Sequence, residues 1–348
     1  MSTEAILPPK NNRALRAGVI LLLALLALCF GILFPSVFVF ENDWNNILQP
    51  PSSSHLFGTT SQGMDLFAGI INGLGTSMLV AFLAVVHSAI IGFPLALFCS
   101  ATGNKGRAGI IQVMVFLLFA FVSWFYSFYV RRFYNEDSSV QTVISFLIFI
   151  LMLLAGFLIS KKIFSFSKNF ISVSLPVDTL FTTLADIITS FPMLMIILTI
   201  TALSKPSLWL VILVIGLTTW TGIFRIVRSA AMQVMQQDFI TAARAMGTNE
   251  ARIIMKHILP AVLPLLAVHI AFTFSAAIVL ESALSFLGAG LPVGTVTLGS
   301  LLADAKSNFS AWWLVVFPGA ILFLLLLSLQ LIASGLQKKF NPRLHSSL

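Results

Sequence analysis

The sequence predicts an all-α integral membrane protein, and two observations support that prediction. The first is composition: 58% of the 348 residues are hydrophobic and 9% are charged, whereas soluble domains carry about 25% charged residues. The second is a series of Leu, Ile, Val and Phe runs that are long enough to cross a bilayer as helices and lack the alternation of membrane β-strands. Together they exclude a soluble enzyme, a disordered regulator and a secreted disulfide scaffold.

Eight apolar runs reach the length of about 20 residues that a helix needs to cross a membrane. The first exceeds the apolar region of about 7–15 residues found in a cleaved signal, so we expect it to be retained. The eight predicted spans are Ala17–Phe40, Thr76–Cys99, Gly109–Val130, Val140–Ser160, Thr179–Leu203, Leu208–Val227, Ala261–Ala283 and Trp312–Leu336.

The distribution of Lys and Arg predicts that both termini are cytoplasmic. With the N-terminus inside, 16 of the 20 basic residues fall in inner segments and four in outer segments, which is the bias typical of cytoplasmic loops. The net charge of +8 follows from this bias and does not indicate a nucleic-acid partner. Arg225 and Arg228, beneath the sixth span, are expected to snorkel to the inner interface. Cys29 and Cys99 lie in apolar runs, which argues against a disulfide, zinc or redox site.

The longest inner loop, residues 236–260, predicts a first short helix. Asp238 is a candidate N-cap for a helix through Met246, and Gly247 is its C-terminal stop. The i, i+3, i+4, i+7 spacing places one group of small and apolar side chains on a single face of this helix. That group is Phe239, Ala242, Ala243 and Met246.

The same loop predicts a second short helix. Thr248 or Asn249 can cap it, and it is expected to cover Glu250–Ile258 before Pro260 begins the next span. Two short helices at a glycine bend, with small and apolar residues at the membrane surface, form a protrusion suited to a groove on another protein.

This loop resembles the EAA motif of permease subunits in ATP-binding-cassette importers. Ala242, Ala243 and Gly247 match the motif, and nine residues later His257-Ile258-Leu259-Pro260 resembles the oligopeptide, dipeptide and nickel branch, in its second-permease or C-type subunit. Thr241 stands at the usual acidic position. The resemblance implies that the loop couples the permease to the ATPase through Asp238, Thr241, Ala242, Ala243, Arg244, Gly247, Glu250, His257, Leu259 and Pro260.

Other segments resemble the same family in the same order. Residues 186–192 resemble D-x-x-x-x-F-P, and residues 281–290 resemble E-x-x-L-S-F-L-G-x-G. Residues 58–65 correspond to G-T-D-x-x-G-R-D, with Thr60 and Met64 in place of Asp and Arg. The resemblance covers residues 56–102 and 176–343, which implies a six-span permease core.

Residues 103–175 do not match the family and are expected to form an inserted hairpin of two spans at the periphery of the bundle. A hairpin keeps the parity of the spans, so loop 236–260 stays cytoplasmic. The predicted organisation is 1–40, N-terminal tail and first span; 41–75, outer segment; 76–102, core span; 103–175, insertion; and 176–343, permease core with its coupling loop 236–260.

Four polar side chains within the predicted spans are candidates for a passage or structural role. Glu281 and Asp186 could line the substrate passage, but structural roles are favoured because an unpaired carboxylate is costly in a bilayer. His87 and His269 stand alone in apolar helices without a second ligand at metal spacing, which favours interhelical hydrogen bonds over a metal or proton site. No metal site is predicted.

The sequence lacks the Walker A pattern that cradles ATP phosphates, so we expect no cofactor on this chain and ATP on partner subunits. The resemblance implies a non-enzymatic permease that works with a second related permease, two cytoplasmic ATPases and an extracytoplasmic solute-binding protein in the lipid bilayer of the cell (inner) membrane. Peptides are the first expectation for the substrate, and nickel or another small solute the second. An ion-coupled secondary transporter and a membrane enzyme are the alternative classes.

Overall fold

A computed structural model describes residues 13–30, 43–102, 106–109, 172–292 and 294–340. The helices are α1 Arg13–Phe30, α2 Leu66–Thr102, α3 Val177–Ser190, α4 Met193–Leu203, α5 Leu208–Met235, α6 Asp238–Ala245, α7 Glu250–Ile253, α8 Leu259–Phe286, α9 Leu298–Asp304 and α10 Trp313–Phe340. A π-helical turn, Ile254–Ile258, joins α7 to α8, and a 3₁₀ turn, Ala305–Ser307, follows α9.

Four helices of the described part are long and apolar enough to cross a membrane. They are Leu66–Ala101, Leu208–Met235, Ile254–Phe286 and Trp313–Phe340, and a fifth span is present if a bent helix pair counts as one. The predicted spans Gly109–Val130 and Val140–Ser160 fall almost wholly in residues 110–171, outside the described residues. The first predicted span is described as α1, and its remainder, 31–40, also lies outside them.

The predicted span Thr179–Leu203 is not a single straight helix, because this segment forms two helices, α3 and α4, bent by 81°. Pro192 has no N–H to donate to a helical bond, and the residue before a proline is disfavoured in the α conformation. Pro192 accordingly adopts a non-helical ψ of 118° and becomes the N-cap of α4. The break therefore follows directly from the Phe-Pro pair.

The second short helix of the loop does not end at Ile258 as predicted. Helical backbone runs without interruption from α7 through the π-helical turn into α8. Pro260 cannot donate a hydrogen bond to the carbonyl four residues earlier, and at the junction the N–H of Leu259 bonds to the carbonyl of Ile254 five residues away. The coupling loop is thus joined to a spanning helix by rigid backbone.

Helices α1 and α10 pack closely in an antiparallel arrangement. Gly18 lies so near α10 that an added Cβ would stand 2.8 Å from the amide nitrogen of Ile332, and one at Gly335 would stand 2.6 Å from the Cβ of Leu15. Glycine is required at both contacts because any side chain would force the two backbones apart. The start of α1 and the end of α10 therefore lie at the same end of the helix pair.

The segment before α2 is fastened to the last third of the chain. The indole N–H of Trp313 donates to the carbonyl of Thr59 (3.1 Å), and the amide of Ser61 donates to the carboxylate of Asp304 (2.8 Å). These long-range bonds join residues 59–61 to α9 and the start of α10.

The two departures from the family pattern in this segment have local explanations. Thr60 replaces an acidic residue, and its hydroxyl accepts the amide N–H of Met64 at 3.1 Å, which is a turn-forming role that Asp also performs. Met64 replaces Arg and is buried, where it approaches Gly69 of α2.

The chain divides into two compact units, residues 1–101 with 182–348, and residues 102–181. In the second unit, β1 (Gly106–Gly109) pairs antiparallel with β2 (Ser172–Leu175). This short ladder was not expected in an all-α protein. It brings the two ends of the 103–175 insertion together, with Gly106 opposite Leu175.

Candidate coupling loop and intramembrane polar residues

The first helix of the coupling loop is present as α6, with one change at its start. The N-cap is Gln237 and not Asp238 as predicted. Asp238 is the first residue of the helix, where a carboxylate interacts favourably with the positive end of the helix dipole. Two residues separate α5 from α6, and the amide of Gln236 bonds to the carbonyl of Met232 (3.2 Å), so α6 follows α5 without a free linker.

Gly247 ends α6 in a Schellman motif. Its φ is +79°, a conformation that glycine adopts without the steric penalty of a side chain. The amide of Thr248 bonds to the carbonyl of Ala243 (3.1 Å), and that of Gly247 to Arg244 (2.9 Å), which are the two bonds that define the motif. An added Cβ at Gly247 would meet nothing within 4 Å, so the requirement for glycine is conformational.

An ion pair bridges the bend between α6 and α7. The Nε of Arg244 donates to Oε1 of Glu250 (2.7 Å), and its Nη2 donates to Oε2 (3.2 Å). This side-chain hydrogen bonding raises the pKa of the Arg244 guanidinium above its usual value. The two-pronged geometry adds a side-chain contact across the bend, between two side chains that are 41% and 49% exposed.

The predicted apolar face of α6 is divided between two environments. Ala243 is buried, together with Ile240, and packs onto the chain itself, so its assignment to a surface that faces another protein is wrong. Phe239 and Met246 are 51% and 79% exposed, and Ala242 and Thr241 are exposed beside them. The small residue Ala243 thus packs α6 against the rest of the chain, and the larger side chains of Phe239 and Met246 project away from it.

His257 connects the two arms of the loop. Its ring lies 5.7 Å from that of Phe239, at an angle of 58°. Leu259 and Pro260 are the first residues of α8. Residues from both ends of the 236–260 loop therefore come together around one bend.

The two intramembrane histidines pack against two glycines that both belong to α5. An added Cβ at Gly216 of α5 would stand 2.6 Å from Cδ2 of His87, and one at Gly222 would stand 3.0 Å from Nε2 of His269. Within the described residues there is no group of three His, Cys, Asp or Glu side chains that could hold a metal ion. Both imidazoles thus fill notches on α5.

Glu281 lies in a junction of three helices and is fully buried. Its Oε1 accepts from the hydroxyl of Ser285 (2.7 Å) and its Oε2 from that of Ser282 (3.4 Å), both on α8. The side chains of Ser77 on α2 and Thr297, the N-cap of α9, also lie close enough to interact with it. The hydroxyl of Ser77 accepts the amide of Leu298 (3.3 Å), so α2, α8 and α9 meet around the carboxylate.

Asp186 lies on α3, near the bend, and is paired. The Nη2 of Arg225 on α5 donates to Oδ1 of Asp186 (2.7 Å) and to the hydroxyl of Thr189 (2.6 Å). Arg225 therefore binds within the protein and does not simply snorkel as predicted. Sequence reasoning missed this partner, although an acidic and a basic side chain in successive predicted spans were the available signal.

Comparisons with known proteins agree with this architecture. The family model described as "binding-protein-dependent transport system inner membrane component" matches residues 163–346. A putative peptide transport system permease protein of Brucella abortus is 28% identical over 338 residues, covering 96% of this chain and 89% of the relative.

Two further relatives carry more specific names. The dipeptide transport system permease protein DppC of Alkalihalophilus pseudofirmus is 27% identical over 345 residues, covering 99% of this chain and 90% of that one. The oligopeptide transport system permease protein OppC of Haemophilus influenzae is 32% identical over 211 residues, or 60% and 68%.

The helical fold, the coupling loop and the family match define an inner-membrane transport component. The chain belongs to the family of binding-protein-dependent transport system inner membrane components. It is a multi-pass permease of the cell inner membrane, as predicted, and its family is one of transport components and not of enzymes. Family membership also decides against the ion-coupled secondary transporter.

Proposed function

We propose that this chain is one of two related permease subunits in an ATP-driven importer of di- and oligopeptides. The names of the relatives, a peptide, a dipeptide and an oligopeptide permease, support this substrate class over nickel. An extracytoplasmic binding protein delivers the peptide, and two cytoplasmic ATPases bind and hydrolyse ATP. In this proposal ATP is bound by the partner subunits, and the role of this chain is to form the passage.

The coupling loop is the observation that carries this proposal. Phe239 and Met246 project from a short helix whose other side is buried against the chain. The Schellman bend at Gly247 sets the angle between α6 and α7, the Arg244–Glu250 pair bridges it, and the π-helical turn continues into α8. A rigid protrusion of this kind inserts an apolar knob into a groove of the ATPase and transmits its motion to two spans, α5 and α8.

The same proposal includes eight spans with both termini cytoplasmic. The excess of basic residues in the inner segments supports this orientation, and so does the antiparallel α1–α10 pair, which places Leu15 beside Gly335. The β1–β2 ladder supports an insertion that leaves and returns at one side of the membrane. Reporter fusions after Ser100, Ser204 and Leu336 should read inside, outside and inside, and any reversal contradicts the orientation.

The coupling role is tested by placing a charge on the projecting face. Phe239→Asp and Met246→Asp each put an unpaired carboxylate where the apolar knob is to be desolvated. The matched control is Phe309→Asp, since Phe309 is 90% exposed and lies far along the chain, between α9 and α10.

In the reconstituted complex, we expect both α6 variants to lose co-purifying ATPase and ATP-dependent uptake of a labelled dipeptide, while Phe309→Asp retains the ATPase. Unlabelled dipeptide should compete with uptake, and Ni²⁺ should not. Normal ATPase binding and uptake in both α6 variants would overturn the coupling role of the loop. Competition by Ni²⁺ alone would overturn the substrate class.

A further inference from the structure

We propose that Arg225 is a positioning residue that ties the broken span to the helix carrying the coupling loop. The group formed by Arg225, Asp186 and Thr189 is called here the inner tie. Through it, a movement of α6 and α5 reaches the bend between α3 and α4. This inference rests on the proposed function and adds a transmission step to it.

In the inner tie, one nitrogen of Arg225 donates hydrogen bonds to two acceptors. The Nη2 group of Arg225 has two N–H donors, and these reach Oδ1 of Asp186 at 2.7 Å and the hydroxyl of Thr189 at 2.6 Å. The Thr189 hydroxyl in turn donates to the carbonyl of Ala185 at 2.9 Å. The guanidinium thus holds the last turn of α3 through a charged and a neutral partner, and a cation is favourable at this end of a helix.

The bend beside the inner tie is the point at which main-chain support is missing. Helical hydrogen bonding stops at Pro192, which has no N–H, and the two helices diverge there by 81°. The hydroxyl of Ser190 donates back to the carbonyl of Asp186 (2.7 Å), a pattern associated with helix bending. The orientation of α3 relative to α5 therefore depends on side-chain contacts such as the inner tie.

The other end of the connection is the coupling loop. Arg225 lies ten residues before the end of α5 at Met235, a distance of about 15 Å along the helix. α6 begins after two intervening residues and packs against the rest of the chain through the buried side chains of Ile240 and Ala243. A push on α6 is consequently carried by α5 to Arg225 and from there to α3.

The exposure of the inner tie suits a contact between two helices that move together beside water. The side chains of Arg225 and Asp186 are 45% and 67% exposed, and charges at a spanning helix face a water-filled cavity or protein and not lipid. Both groups thus stay hydrated, so the pair avoids the desolvation cost of a buried ion pair while it keeps α3 beside α5.

The inner tie is tested in the complete importer reconstituted in lipid nanodiscs for ATP hydrolysis and in proteoliposomes for uptake. Arg225→Gln should lower the amount of dipeptide taken up per ATP about tenfold, an effect typical of coupling between sites, with ATPase association unchanged. Arg225→Lys keeps a charge that can reach Asp186 and should recover most of the loss. Lys338→Gln, which removes a basic side chain near the end of α10, is the matched control and should behave as wild type.

A double-mutant comparison separates the inner tie from other roles. Asp186→Asn should cause a similar loss, and the double variant Asp186→Asn with Arg225→Gln should be no worse than either one, since both remove one contact. Independent losses that multiply in the double variant would overturn the proposal. A raised KM for peptide with unchanged uptake per ATP would also overturn it, because that result assigns Arg225 to substrate binding.

A distance measurement keeps the test independent of the substrate and of assembly defects. Spin labels at the exposed positions Thr183 on α3 and Gln233 on α5, in a background with both cysteines replaced by Ser, report the separation of the two helices. When ATP is added, the separation should stay constant in the protein that retains Arg225 and should change in the Arg225→Gln variant. An ATP-dependent change that is the same in both would overturn the inner tie, whereas absence of dipeptide uptake by the wild-type complex would instead overturn the proposed function.

Discussion

The two intramembrane carboxylates are held in opposite ways, and the comparison separates a fixed part of the molecule from a movable one. Glu281 is fully buried and surrounded by hydroxyl groups from α2, α8 and α9. Asp186 is two-thirds exposed and is paired with the guanidinium of Arg225. Among the described residues the hydrogen-bond partners of Glu281 are hydroxyl groups, whereas Asp186 depends on a cationic partner.

The difference follows from the cost of burying charge. A carboxylate without water requires several well-placed donors, and these donors must keep their positions, so the Glu281 junction holds its three helices in one arrangement. An ion pair exposed to water gains little from its contact and loses little when it opens. The Glu281 site, called here the outer junction because its end of α8 is predicted to lie outside, therefore suits a static frame, while the inner tie suits a part that moves.

The largest expected effect comes from removing the carboxylate at the outer junction. Glu281→Leu leaves the buried hydroxyls of Ser282 and Ser285 without their shared acceptor and removes the polar group beside Ser77 and Thr297, at a cost of about 3 kcal/mol in the free energy of unfolding. Thermal unfolding in detergent should show a clearly lowered Tm.

The control for this variant is Glu281→Gln, which keeps an acceptor oxygen and a similar shape and should retain more stability. If Glu281→Leu unfolded at the wild-type temperature, the junction would not be part of a fixed frame. The contrast between a fixed Glu281 and a movable Asp186 would then be wrong for Glu281.

The lengths of the apolar runs allowed most of the described fold to be predicted. α2, α5, α8 and α10 each contain a predicted span because a long uncharged segment has few alternatives in a bilayer. The break at Pro192 was missed, although the proline was visible, because the apolar run continues on both sides of it. Mean hydropathy is taken over a window of residues, so it does not change when a single backbone N–H is missing.

The site was predictable where it depends on local sequence. Gly247 was expected to end its helix, and its φ of +79° agrees, because a glycine stop is a signal within one turn of the chain. The Asp186–Arg225 pair was not predictable, since its members are 39 residues apart and the facing of two helices cannot be read from either one. The burial of Ala243 was misjudged for the same reason. An amphipathic pattern shows that one face of a helix is apolar, but not whether that face packs on the same chain or on another protein.

A smaller effect, and a sharper test of the movable part, is expected from Gly247→Val. The left-handed conformation at this position costs a β-branched side chain at least about 1 kcal/mol, and there is open space around it, so no clash contributes. The strain should rotate α6 against α7 and misalign Phe239 and Met246, lowering dipeptide-stimulated ATP hydrolysis while the Tm changes far less than in Glu281→Leu. Gly247→Asn is the control, because Asn tolerates this conformation better than other residues with a side chain, and it should remain close to wild type. Equal ATPase stimulation in the Val and Asn variants would show that the angle of the bend does not matter for coupling, and the inner region would then be as static as the outer junction.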